Sequence, residues 1–168
     1  MDKEQYWFGP DKKDRRIVYA AVLTPEILIN GAETNRRINL CVDRYVAETG
    51  RPAPTLYASG WRPPSVNEVT SNAAANSNHL DAEAGDVRDD AVGSFAWWCY
   101  EHKDDVLADP EIDLYMEHPV ATVVGHVTPW CHLQTVPPKS KARVYFPTTV
   151  AFQAWQKVGA TFDSKKFA

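Results

Sequence analysis

A histidine and an aspartate stand seven residues apart in SNHLDAEAGD, residues 77–86, with small side chains at Ala82, Ala84 and Gly85 between them. Neutral imidazole and carboxylate are standard zinc ligands, and a catalytic zinc site takes three protein ligands and keeps one position open. Small intervening residues let the backbone pass close to an ion. His79 and Asp86 are therefore candidate ligands, set against the plainer reading of a polar surface loop. A third ligand must come from elsewhere, and His102, His118, His126 and His132 are available. His132 lies in PWCHLQ, residues 129–134, which reads as a strand. Period-two alternation puts Cys131 and Leu133 on the core face and leaves Trp130 and His132 free to face a cleft.

These residues need elements to hold them. Thr24, Pro25 and Glu26 form a helix start, with Thr as N-cap and Pro at the first helical position. Asn30 and Gly31 are candidates to interrupt that helix. From Ala32 onward, Ile38, Cys41, Val42, Tyr45 and Val46 recur at helical spacing until Gly50 and Pro52 stop it. Strands are predicted over 56–59, 84–88, 120–127, 130–135 and 143–146. Short helical turns are predicted over 64–69. A helix capped by Asp89 or Asp90 runs to about His102, with Val92, Phe95, Ala96 and Cys99 inward. A last helix follows Thr148 or Thr149. Ile17 to Leu23 is an apolar run of undecided type. Helices mix with antiparallel strands without a βαβ rhythm, so the predicted class is α+β, a small antiparallel sheet with flanking helices. The 168 residues predict one domain, with residues 1–23 as an N-terminal extension that docks through Tyr6, Trp7 and Phe8.

Three segments together carry a family resemblance: SGWRPPSVN (59–67), SNHLDAEAGD (77–86) and PWCHL (129–133). In order and rough spacing, over about residues 50–135, they resemble the zinc D-alanyl-D-alanine carboxypeptidase and L-alanyl-D-glutamate endopeptidase family, whose fold is shared with the hedgehog signalling domain. The resemblance implies one zinc ion held by His79, Asp86 and His132. It implies that Arg62 steadies a substrate carbonyl or carboxylate, a task that suits a planar guanidinium. It implies that Ser59 and Ser77 shape the substrate site. The implied substrate is the peptide stem of bacterial peptidoglycan.

The chain departs from the family pattern at two places. Ala82 stands where the family has Gly, which is mild if its φ is negative. Pro129 stands where the family places its general base, a Glu three residues before the last histidine, and proline has no proton-accepting side chain. Glu117 is the first choice of substitute, because it ends a short apolar segment that leads back to the sheet. Glu83, His118 and His126 are the others.

Composition limits the remaining possibilities. The chain is 44% hydrophobic and carries a net charge of −4, enough apolar residues for a core but no basic excess for phosphate contacts. Nucleic acid is not an expected partner. Lys12, Lys13, Arg15 and Arg16 alternate with acids and read as a solvated segment. No run approaches the ~20 apolar residues of a membrane span. The N-terminus lacks a basic start followed by an apolar stretch, so no signal peptide is expected. Cys41, Cys99 and Cys131 form no close pair in sequence and read as buried small hydrophobes. Together with the resemblance, this suggests a phage-encoded wall peptidase, made in the host cytoplasm and acting at the wall after release or as part of a virion or oligomeric assembly. The alternative is a structural or binding module, such as a virion component, that keeps the fold without hydrolysis.

Overall fold

The helix that begins at Thr24 is the longest element. In the computed structural model, which describes residues 3–9, 12–54, 56–71, 73–147 and Gln153, it follows a short helix α1 (Arg15–Val18) and runs unbroken as α2 (Pro25–Thr49). Thr24 accepts from the Ile27 amide at 3.2 Å, as expected of an N-cap. Gly50, at φ +66°, closes the other end by donating to the Val46 carbonyl. The expected interruption at Asn30 and Gly31 does not occur. Gly31 is instead the point where the Trp7 ring lies on the helix, and a Cβ there would stand 2.3 Å from that ring.

Four of the five predicted strands form, and one unpredicted strand joins them. β1 (Tyr57–Ser59), β2 (Ala84–Arg88), β3 (Tyr115–Glu117), β4 (Trp130–Gln134) and β5 (Val144–Tyr145) form one open sheet in the order β1-β2-β4-β3-β5. The pairings are antiparallel except β3 with β5, which is parallel. The fold is α+β, with α3 (Pro64–Val69), α4 (Ser94–Glu101) and α5 (Pro119–Thr122) as further helices. β3 was legible only as a short apolar segment, because three residues are too few to show alternation.

The strand expected over residues 120–127 is absent, and this corrects the sequence reading. Pro119 at the first helical position and the His118 side chain, which accepts from the Val120 amide, start α5 instead. Gly125, at φ +80°, then turns the chain. Val92, expected inward, is exposed, because the helix begins only at Ser94. Asp89 and Asp90 do hold that helix start: Asp89 accepts from the Phe95 and Ala96 amides, and Asp90 from Val92 and Ser94. The helix expected after Thr148 lies, apart from Gln153, outside the described residues.

Alternation along the strands sorts the sheet into two faces. Val87, Met116, Cys131 and Leu133 join Ile38, Cys41, Val42 and Tyr45 of α2 and Phe95, Ala96 and Cys99 of α4 in the main core. The three cysteines are buried free thiols, as expected, and the fold brings Cys41 Sγ to 3.7 Å from Cys99 Sγ. The other face carries a row of polar side chains. Ser59 is registered opposite Asp86, Asp86 opposite His132, and Glu117 opposite Tyr145. Since Met116 pairs with Leu133, one further step along the antiparallel ladder sets Glu117 beside His132. Five strands thus contribute five residues to one transverse line.

The N-terminal segment buttresses the loop that carries His79. Tyr6 and Trp7 are buried with Trp61 and Ala82. The Tyr6 hydroxyl lies 2.8 Å from the Ala82 carbonyl and 2.9 Å from that of Ala84, and Thr34 of α2 also donates to Ala82. Arg15 is buried and donates to the Trp61 carbonyl, while Arg16 pairs with Glu4 and Asp14. The solvated-segment reading therefore holds for exposed Lys12 and Lys13 and fails for the two arginines. Arg16 pairs with acids close by in sequence, whereas Arg15 turns into the fold.

Gly60 lies where this buttress meets the loop. A Cβ at Gly60 would fall 1.9 Å from the Tyr6 carbonyl oxygen, a backbone atom that cannot swing aside. Gly60→Ala is expected to cost about 1–3 kcal/mol of stability, the usual range for forced overpacking, measured by urea denaturation.

Candidate metal centre

His79 sits on a tight loop and is fully buried. Trp61 Nε1 donates to the Leu80 carbonyl at 2.9 Å, and the Arg62 amide donates to the His79 carbonyl at 2.9 Å. Asn30 of α2 holds the Asp81 carbonyl. Ala82 has φ +57°, in the left-handed region, contrary to the negative φ that would have made alanine mild. The Ala82 carbonyl bonds to Tyr6 and Thr34 hold the turn in that conformation.

The His79 ring is oriented from behind. Its Nδ1 lies 2.7 Å from the Gly60 carbonyl, an acceptor only, so Nδ1 carries the hydrogen. Nε2 is buried with no hydrogen-bond partner and points toward Asp86 Oδ2, 3.3 Å away. A bare buried nitrogen of this kind is available to a metal ion. Asp86 Oδ1 lies 2.8 Å from His132 Nδ1. One donor atom from each of His79, Asp86 and His132 falls within 4.8 Å of the others. Donors around a tetrahedral zinc stand roughly 3.3 Å apart, given bonds of about 2.0–2.2 Å, so small side-chain rotations close the set. The three residues can hold a metal ion, and their chemistry fits zinc.

The charges agree with that role. Burial keeps His79 neutral, lowering its pKa against the pull of Asp86. Burial alone would raise Asp86, but the two histidines hold it well below the usual carboxylate range. Burial would likewise lower His132, yet Glu117 and Asp86 push it up to about 9. At pH 7 the metal-free site therefore holds a proton on His132 that an ion must displace. Zinc uptake at pH 7 is expected to release close to one proton, read as a calorimetric enthalpy that changes with the ionisation enthalpy of the buffer. Without metal, His132 stabilises the fold fully below its unfolded value of about 6.5. That contribution is lost as pH rises through about 9.

The remaining candidates divide clearly. A cleft of about 490 Å³ opens over the site, lined by Arg62, Ser77, Asp86, Glu117, His132 and Gln134, with Trp130 and Tyr145 at its walls. Arg62 Nη2 donates to Ser77 Oγ at 3.3 Å, while its Nε is buried without a hydrogen-bond partner. Ser59 Oγ is also buried without one, beside Asp86 in register. Burial raises the pKa of Glu117, and Asp86 adds to the effect while His132 and Arg62 oppose it. Glu83, His118 and His126 do not line the cleft. His118 caps α5 and stacks on Phe146, His126 packs on Trp130, and His102 meets Asp105 beside α4.

Gln134 and Tyr145, both lining the cleft, escaped the sequence reading. Gln134 follows His132 by two positions on a strand, so alternation alone could have placed it on the same face. Tyr145 reaches the site through the parallel pairing of β5 with β3, for which the sequence carries no signal. Among the described residues, no helix is long and apolar enough to cross a membrane. Comparison of the chain with protein-family models, curated proteins and solved structures gives no match.

Proposed function

We propose that this chain is a zinc-dependent peptidase that cuts the peptide stem of bacterial peptidoglycan, as a carboxypeptidase or an endopeptidase of the endolysin type. The observation that carries the reading is the bare, buried His79 Nε2 facing Asp86 and His132, with Glu117 and Arg62 in the same cleft. The motif resemblance over residues 50–135 supplies the substrate class. The cleft volume falls in the range of small-molecule sites and suits a short peptide.

His79, Asp86 and His132 would hold the ion, which when bound polarises a carbonyl and lowers the pKa of a water toward ~7. Glu117 takes the attacking water's proton and passes it to the leaving amine. Its raised pKa brings it nearer neutrality, where such a base works best. Arg62 presents its guanidinium to the oxygen on which charge develops, or to a substrate carboxylate. Ser77 fixes the Arg62 fork.

Digestion of purified peptidoglycan, followed by mass spectrometry of the released stems, tests the reading. Stem fragments released by the zinc-loaded protein and withheld by a chelator are the expected result. A zinc-loaded protein that releases nothing would favour the alternative of a structural or binding module. Pro129, at the family's usual position for the base, is the residue that favours that alternative.

A further inference from the structure

We propose that Gln134 is the positioning residue that holds His132 in the tautomer that presents Nδ1 to a metal. The inference rests on the metal reading above. The Gln134 amide is fixed at both ends. Its Nε2 donates to the Val136 carbonyl at 2.5 Å, which turns Oε1 toward the cleft. There Oε1 accepts from the Tyr145 hydroxyl at 2.5 Å and meets His132 Nε2 at 3.2 Å. An amide oxygen offers only lone pairs, so His132 Nε2 must carry its hydrogen. Flipping the amide would set its oxygen against the Val136 carbonyl oxygen.

With Nε2–H committed, the one lone pair a neutral His132 can offer is on Nδ1. That is the nitrogen 2.8 Å from Asp86 Oδ1, on the side where His79 Nε2 and Asp86 converge. His79 reaches the same end with its nitrogens exchanged, since Gly60 holds its Nδ1–H and leaves Nε2 bare. Two neutral acceptors, a backbone carbonyl and a side-chain amide, thus set opposite tautomers in the two imidazoles. Outer-shell partners of this kind typically contribute roughly 10–100-fold to metal affinity.

The test compares zinc affinity, by chelator competition, in the wild-type protein, Gln134→Leu and Gln134→Glu, with imidazole ¹⁵N spectra of the zinc-loaded wild type. The spectra should show His132 protonated at Nε2 and bound through Nδ1. Gln134→Leu should bind zinc about 10–100-fold more weakly. Gln134→Glu keeps an acceptor facing His132 but loses the donor to the Val136 carbonyl, so it should recover part of that loss, and a purely structural role would not predict this rescue. A folded Gln134→Leu protein with wild-type affinity, or zinc on His132 Nε2, would overturn the proposal while leaving the metal site intact. A wild-type protein that takes up no zinc would instead overturn the metal reading itself. If Gln134→Leu fails to fold, the wild-type spectra and Gln134→Glu still decide the matter.

Discussion

Asp86→Ala is expected to abolish stoichiometric zinc binding, and His79→Ala and His132→Ala should do the same. The expected losses exceed the roughly 10–100-fold that removal of an outer-shell partner costs, because three protein ligands are the minimum for a site that keeps one position open. Asp86 is the most informative of the three. It stands between the histidines, 3.3 Å from His79 Nε2 and 2.8 Å from His132 Nδ1, so its removal leaves two neutral donors and no anion. The same substitution has a consequence in the metal-free protein. Asp86 is one of the charges that raise His132 to about 9, so the His132 titration should move down when it is removed. Metal analysis of dialysed protein reads the first effect and proton NMR of the His132 ring reads the second. An Asp86→Ala protein that still holds one equivalent of zinc would end the assignment of these ligands.

The sequence made the candidate ligands legible because each lies in a segment whose local pattern is strong. β4 alternates over PWCHLQ, and the core does take Cys131 and Leu133 while His132 faces the cleft. The loop from His79 to Asp86 shows its small residues plainly, although not the left-handed backbone at Ala82, which depends on bonds from Tyr6 and Thr34 far away in the chain. Non-local choices escaped. β3 is three residues long, and its parallel pairing with β5 leaves no periodic trace. The run after Pro119 is rich in β-branched residues, and a strand was the natural reading. A His118 cap and a proline at the first helical position outweighed that propensity. Arg15 looked solvated because its partner, the Trp61 carbonyl, is 46 residues distant. What could be read was chemistry held by neighbours in sequence. What could not was chemistry held by neighbours in space.

Glu117→Gln should lower peptide hydrolysis by about 10²–10⁴-fold, the usual contribution of a general base, while zinc binding stays intact. The amide conserves volume and keeps a polar group in the cleft but cannot accept a proton from water. Glu117 is the one carboxylate lining the cleft, among the described residues, that is not itself a candidate ligand. The sheet places it, since β3 runs antiparallel to β4 and the register carries Glu117 to the flank of His132. Glu117 also raises the His132 pKa, so the variant should show a lower His132 value in the metal-free protein, a check that needs no substrate. The pH profile gives a third readout. A base must be ionised to act, so the wild-type rate should climb as pH rises through the Glu117 pKa. Burial lifts that pKa above the usual carboxylate range, so the climb falls closer to neutrality than an exposed glutamate would give. Residual activity in Glu117→Gln should lack this limb. Full activity in a zinc-loaded Glu117→Gln protein would remove Glu117 from the mechanism and leave the proton to another group.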